Sequence, residues 1–367
     1  MKVPRLYLGT MTFGWSQTSS KVDESIAASM LERFVQHQQQ QQHANNNDKD
    51  NEGAVVVRLD TARIYAGGKT EDICGTILAA KPNPLDKRRR ILVGTKAHPS
   101  RPGGLSALGM QGQWDESMQA LKLSAVEEYY LHQPDTEHSL EESLQFVNDL
   151  VDKGLVKTIG MSNYHVSEVQ RAFALCAQHA WTQPGVYQGL YNPLNRAVEQ
   201  ELLPLLRQHN CSFVAYNPLA AGLLTGKHKT LEDVQKGRFR NNPNYLPRFY
   251  TAANFQAIEV IRQACDAAGI TMVDATFRWL LCHSALQEHD GILIGASSLE
   301  QLDQNLQACR IEHHKANPLP ATVLQAFDEA WEITRQAGVF PYWRSYSADM
   351  PNRETLDQGA SYEASKK

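Results

Sequence analysis

Eight times along this chain a short apolar run rich in β-branched residues gives way to a longer amphipathic stretch. The short run reads as a strand, and the stretch after it as a helix with one apolar face. Strands are predicted over residues 6–9, 55–59, 91–95, 128–131, 158–161, 186–188, 212–215 and 292–295. Helices are predicted over 23–36, 69–79, 114–123, 139–153, 167–179, 198–209, 252–268 and 299–309, with two more at 271–286 and 320–336. Ser139 ahead of Leu140-Glu141-Glu142 has the form of a capping box, as does Ser298 ahead of Gln301. Gly154 and Gly269 stand where left-handed helix stops belong. Eight strands, each followed by a helix, make an α/β protein of the (β/α)8 barrel class.

The barrel is expected to occupy residues 1–346 of the 367. Within it, residues 36–53 form a Gln/Asn-rich insert with almost no apolar side chains. Such a stretch buries too little surface to offset its ordering entropy, so it reads as a flexible loop after the first helix. Residues 347–367 turn polar and read as a weakly ordered tail. The connection over 225–251 is too long for an ordinary joint, and long structured loops of this kind are usually functional.

Composition excludes several classes of partner. There are 36 Lys and Arg against 40 Asp and Glu, a net charge of −4, which argues against nucleic acid and anionic membrane. Mean hydropathy is −0.44 and no apolar run reaches the roughly 18 residues of a membrane span. Cys74, Cys176, Cys211, Cys265, Cys282 and Cys309 are scattered, without Cys-x-x-Cys or zinc spacing. They read as reduced thiols of a cytoplasmic protein with no metal site, and the N-terminus lacks the long apolar stretch of a secretory signal.

In a parallel barrel the chemistry sits at the C-terminal ends of the strands. There the chain places Asp60 after the second strand, with Tyr65 five residues on, Lys96 after the third and His132 after the fourth. Singly, each has an ordinary structural explanation as a cap, a packing ring or a surface charge. Together they suit the protonation of an oxygen as a carbonyl becomes an alcohol. A free tyrosine titrates near pH 10, and a nearby ammonium is expected to lower that value. A carboxylate orients the lysine, and a neutral histidine can hold the carbonyl oxygen. The Gly-x-Ser-x-Gly elbow, the Walker A loop and the Gly-x-Gly-x-x-Gly fingerprint are all missing from the sequence.

These residues lie in motifs that resemble the aldo-keto reductase superfamily, most closely its aflatoxin-aldehyde and succinic-semialdehyde reductase branch. The motifs include Leu59-Asp60-Thr61-Ala62 with Tyr65, Gly94-Thr95-Lys96-Ala97, Tyr130-Leu131-His132 and Gly160-Met161-Ser162-Asn163-Tyr164. Ala215-Tyr216-Asn217-Pro218-Leu219-Ala220-Ala221-Gly222 and Gly295-Ala296-Ser297-Ser298-Leu299-Glu300-Gln301 follow in order. The resemblance implies an NADPH-dependent reductase of aldehydes, including dicarbonyls and semialdehyde acids, with no metal. It implies Tyr65 as general acid, Lys96 and Asp60 as its tuning pair and His132 as the residue orienting the carbonyl. Ser162, Asn163 and Gln188 match positions that hold the nicotinamide carboxamide, and Tyr216 matches the ring that stacks on the nicotinamide. Asn217, Pro218, Leu219, Gly222, Leu224, Gly226 and Lys227 match the wrap around the pyrophosphate. Ala221 stands where relatives carry a glycine. Arg238, Ser297, Ser298, Gln301, Gln304 and Asn305 match positions toward the adenosine phosphate. Tyr245, Arg248 and Arg344, with His132, match the substrate site, and the arginines suit a carboxylate. The partner implied is a small carbonyl compound, and the assembly implied is a homodimer. A competing reading is an NADPH-binding redox sensor similar to potassium-channel β subunits, which share the fold.

Overall fold

The structure is a computed structural model that describes residues 3–16, 18, 20–45, 54–80, 89–229, 231, 239, 245–310 and 318–360. Eight strands pair in parallel and in sequence order: β1 (Arg5–Gly9), β2 (Val55–Asp60), β3 (Arg89–Ala97), β4 (Val126–Leu131), β5 (Val156–Ser162), β6 (Val186–Leu190), β7 (Ser212–Tyr216) and β8 (Gly291–Ile294). β8 returns to β1 with Leu6 opposite Ile292, closing the barrel. All eight strands fall where the alternation predicts them. Among the described residues no helix is long and apolar enough to cross a membrane, and no cluster suits a metal ion.

The helices are α1 (Glu24–Asn45), α2 (Lys69–Ala79), α3 (Ala107–Leu121), α4 (Leu140–Asp152), α5 (Val166–His179), α6 (Leu202–Gln208), α7 (Leu246–Phe249), α8 (Ala252–Ala268), α9 (Met272–Cys282), α10 (Leu299–Ala308) and α11 (Ala321–Gln336). The caps behave as expected. Ser139 accepts from the Glu142 amide at 3.1 Å, Ser298 accepts from Gln301 at 3.2 Å, and Gly269 takes φ +66°. α3 begins seven residues before its predicted start. Ser106 caps it, and Gly109 lies so close under Gly103 that a Cβ would meet the Gly103 carbonyl oxygen at 2.3 Å. The region predicted as one helix over 198–209 is a short 3-10 turn followed by α6, because Pro204 is tolerated only in a first turn.

Two expectations about polar segments are corrected. The first half of the Gln-rich insert is helical: α1 runs on through Gln38–Gln42 to Asn45. Glutamine is a fair helix former, Phe34, Val35 and His37 bury the inner face, and Gln40 accepts a hydrogen bond from Arg310 at 3.1 Å. Residues 46–53 of the insert lie outside the described residues. The chain after Ser347 is not loose as far as Ala360. Asp349 takes both guanidinium nitrogens of Arg171 at 2.9 Å and the Leu140 amide at 2.9 Å. Ser347 gives its amide to the buried Glu168 at 2.8 Å. Polar composition misleads here because the segment is held by charge pairing rather than by apolar burial. Residues 361–367 lie outside the described residues.

Period two sends alternate side chains into the barrel. Tyr7, Tyr130, Val186, Val214 and Leu293 fill its interior, with Glu128 accepting from both tyrosine hydroxyls at 3.0 and 2.7 Å. Glycines make the room: a Cβ on Gly160 would lie 2.3 Å from Tyr130 Cδ1. Closure between β7 and β8 rests on the buried Asp290, which pairs twice with Arg207 (2.8 and 2.5 Å) and takes the Phe213 amide at 2.8 Å. Asp290→Ala removes both carboxylate contacts of Arg207 and the acceptor of the Phe213 amide, so it should destabilise the fold by about 3–5 kcal/mol. Denaturant unfolding measures this, and a loss below about 1 kcal/mol would show the network to be dispensable.

Candidate active site

The register sets the site. Asp60 ends β2 opposite Gly94, and Lys96 on β3 stands opposite Tyr130. His132 follows β4 directly, its amide giving to the Ala97 carbonyl at 2.9 Å. Lys96 has no solvent exposure, and its Nζ donates to Asp60 Oδ1 and to the Thr61 carbonyl, both at 2.7 Å. Gln188 on β6 donates to the same Asp60 oxygen at 2.8 Å. The ammonium lies 5.3 Å from the Tyr65 ring centroid, and the Tyr65 and His132 rings meet edge to face at 5.8 Å. The four polar residues therefore converge on one mouth.

Burial pushes the Tyr65 hydroxyl well above its ordinary value, and the negative charge of Asp60 adds to the shift, with Arg344 opposing. The expected lowering by the lysine is not what results. The ammonium is committed to Asp60 and Thr61, and the half-buried hydroxyl rests as the neutral phenol. Burial pushes His132 well below its usual value, and the positive charges of Lys96 and Arg344 reinforce this beside His98. His132 is thus a neutral ring, and its Nδ1 has no hydrogen-bond partner among the described residues.

A second set surrounds the tetrad. Asn163, at φ +64°, donates from Nδ2 to the His132 carbonyl at 2.8 Å and to Ser162 Oγ at 3.0 Å. Its Oδ1 accepts the Tyr216 hydroxyl at 2.8 Å, and that hydroxyl accepts from Arg248 at 2.6 Å. Arg248 is buried between the Tyr216 and Phe340 rings, 5.3 and 5.1 Å from their centroids, so it braces Tyr216 from behind. Tyr245 packs on Phe249 beside it. Arg344 donates its amide to the Asn163 carbonyl at 2.8 Å and its Nη1 to Gln133 at 2.5 Å. It pairs antiparallel with Gly359, so the tail beyond it holds it at the mouth.

The loop after β7 is left-handed at Asn217, Ala220, Ala221, Gly222 and Gly226. Ala221 adopts φ +58°, a conformation costing about 1 kcal/mol in a residue other than glycine, which is why glycine suits this place. A Cβ on Gly222 would meet nothing within 4 Å among the described residues. Pro218, Leu219, Leu224 and Lys227 lie on the same loop. Across from it Ser297, Ser298 and Gln301 cap α10, with Gln304 and Asn305 one turn on; Gln301 Oε1 accepts from Ser297, and Asn305 from its amide gives to Gly295. Arg238 lies outside the described residues.

The family model for the aldo/keto reductase family matches residues 5–330. The chain belongs to the aldo/keto reductase family. It is 35% identical over 343 residues to mouse aflatoxin B1 aldehyde reductase member 2, covering 90% of this chain and 85% of the relative. It is 37% identical over 287 residues to human aldo-keto reductase family 7 member A3, covering 75% and 84%. Human aflatoxin B1 aldehyde reductase member 2 is 38% identical over 288 residues, covering 75% and 78%.

Motif reading of this aldo/keto reductase misses His98, Gln133 and the brace formed by Arg248. His98 lies two residues after Lys96, so strand period alone could have placed it inward. Its ring is 5.0 Å from that of His132 and edge-on. The Ser100 amide donates to its Nδ1 at 3.1 Å, so the proton of the neutral ring is on Nε2. Burial, then the charge of Arg344, push His98 down to about 3. Below the ordinary value of 6.5 the unfolded chain therefore binds protons that the folded chain refuses. The stability from each neutral ring is complete above that value and is lost as pH falls toward the folded one. For His98 the expected loss from pH 7 to 5 is about 1–2 kcal/mol, and His132 acts in the same direction. Urea unfolding at the two pH values checks it, and His98→Asn should flatten the profile by its share.

Proposed function

We propose that this aldo/keto reductase reduces aldehydes to alcohols with NADPH as the hydride source and Tyr65 as general acid. The carrying observation is a neutral, half-buried Tyr65 phenol set between the buried Lys96 ammonium and the neutral His132 ring. The donors present suit the cofactor. Ser162, Asn163 and Gln188 offer buried amide and hydroxyl groups for a carboxamide, and Tyr216 offers a ring held in place from behind by Arg248. The glycines of the left-handed loop from Asn217 to Gly226 suit close approach of a pyrophosphate to the backbone, and the capped start of α10 suits a phosphate. NADPH, when bound, supplies a hydride to the carbonyl carbon.

The chain's own residues do the rest. His132 holds the carbonyl oxygen by a neutral nitrogen, which keeps the substrate from competing with an imidazolium proton. Tyr65 gives its hydroxyl proton to that oxygen as negative charge develops there. The Lys96 ammonium beside the ring stabilises the phenolate left behind, and Asp60 keeps the ammonium in position. Arg344 carries a positive charge to the rim of the same mouth, where it suits the carboxylate of a semialdehyde acid. The relatives named as aflatoxin B1 aldehyde reductases support aldehydes as the wider substrate class.

Tyr65→Phe keeps the ring and removes the proton, so the reduction rate should fall by about 10²–10⁴-fold. NADPH binding followed by fluorescence should stay within about twofold, since the proposed role of the hydroxyl is toward the substrate oxygen. An active Tyr65→Phe enzyme would refute the mechanism. Arg344→Ala should raise KM for succinic semialdehyde by about tenfold or more and leave 4-nitrobenzaldehyde within about twofold. Equal changes for both aldehydes would remove the carboxylate reading.

A further inference from the structure

Glu71 is a wholly buried carboxylate that the proposed chemistry does not use. It lies on α2, outside the barrel wall, where burial pushes its pKa up. A charge in such a place is expensive unless it is paired and hydrogen-bonded. Two groups meet it. The Thr95 hydroxyl on β3 donates to Oε1 at 2.5 Å, and Arg63 Nη1 lies 3.6 Å from Oε2.

Arg63 is the hub. It lies two residues before Tyr65 and is gathered from three directions. Its Nη1 donates to the Gly68 carbonyl at 3.0 Å and to Asp72 on α2 at 3.4 Å, and its Nε donates to Glu116 on α3 at 3.1 Å. Residues 63 to 68 are thereby closed into a ring around Tyr65. That ring needs closing. Ala66, Gly67 and Gly68 follow Tyr65 with φ of +50°, +64° and +100°, a run that is unfavourable for the alanine and loosely determined for the glycines. The guanidinium fills the space over Gly68 so closely that a Cβ there would lie 2.6 Å from Nη2. Thr95 is the neighbour of Lys96, and strand period sends the two to opposite faces. The outer face therefore ties the tyrosine loop to the same strand that carries the ammonium on the inner face.

We propose that Arg63 and Glu71 are positioning residues for Tyr65: a partly buried ion pair behind the barrel wall that holds the tyrosine loop in register with Lys96. The pair touches neither substrate nor cofactor and acts through loop geometry alone. A misplaced acid slows proton transfer without changing what binds, so the effect belongs in kcat. The proposal rests on Tyr65 acting as the acid.

The test uses the full chain with Arg63→Met, Glu71→Gln, their double variant and Tyr65→Phe, assayed with NADPH and the neutral 4-nitrobenzaldehyde. Each single clamp variant should lower kcat by about five- to thirtyfold, with KM and the NADPH Kd within about twofold. The double variant should be no slower than the worse single, because the two residues form one unit. Glu71→Gln preserves shape and the Thr95 contact, so it keeps the test open if Arg63→Met fails to fold. Unchanged kcat in Glu71→Gln, or a KM that rises in step with the fall in kcat, would overturn the proposal. Multiplying losses in the double variant would overturn it as well. Tyr65→Phe reports separately: full activity there would mean that the acid assignment itself had failed.

Discussion

The contact between Lys96 and Asp60 governs the mouth of this barrel. An ammonium with no exposure survives inside a protein only when its charge is met at close range and its remaining protons are donated. Here Asp60 and the Thr61 carbonyl do both at 2.7 Å. The pair draws β2 and β3 together at their ends, and Gln188 brings β6 to the same carboxylate oxygen. Three strands are therefore committed to one point, and Tyr65 and His132 take positions relative to it. With the ammonium committed to the carboxylate, the adjacent phenol keeps its proton, the state a donor to a carbonyl needs.

The surrounding residues form nested supports. Asn163 spans the His132 carbonyl and the Tyr216 hydroxyl, and Arg248 sits behind Tyr216. Arg344 reaches Asn163 through its backbone and Gln133 through its side chain, and the chain after it is secured through Ser347 and Asp349 to α5. The family match stops at residue 330, yet the segment beyond it supplies a charged group to the mouth and its anchorage. Left-handed residues other than glycine gather around this end, at Ala66, Asn163, Asn217, Ala220 and Ala221. Such conformations persist where surrounding contacts over-determine the backbone, and the contacts just described supply that constraint.

The alternation of short apolar runs and amphipathic stretches was enough to locate eight strands and to name the barrel. That follows from local physics: a strand buried on both faces and a helix with one apolar face each leave a pattern with its own period. The convergence of Asp60, Tyr65, Lys96 and His132 was legible for the same reason, since a parallel barrel gathers its strand ends. Composition misread the polar segments. Gln38–Gln42 joined a helix begun by Phe34 and Val35, and the chain from Ser347 to Asp349 docked through single charged contacts that no average reveals.

The sequence by itself determined the strand order, the end of the barrel where chemistry gathers and the residue types available there. Only the tertiary structure decided their states and alliances. Tyr65 stays protonated because folding half-buries it beside the charge of Asp60, and Arg248 turns to Tyr216 because Phe340, far along the chain, covers its other side. Arg63 closes the tyrosine loop because α2 and α3 bring three carboxylates to it. Desolvation and long-range pairing depend on neighbours distant in the chain, and a local pattern carries no record of them.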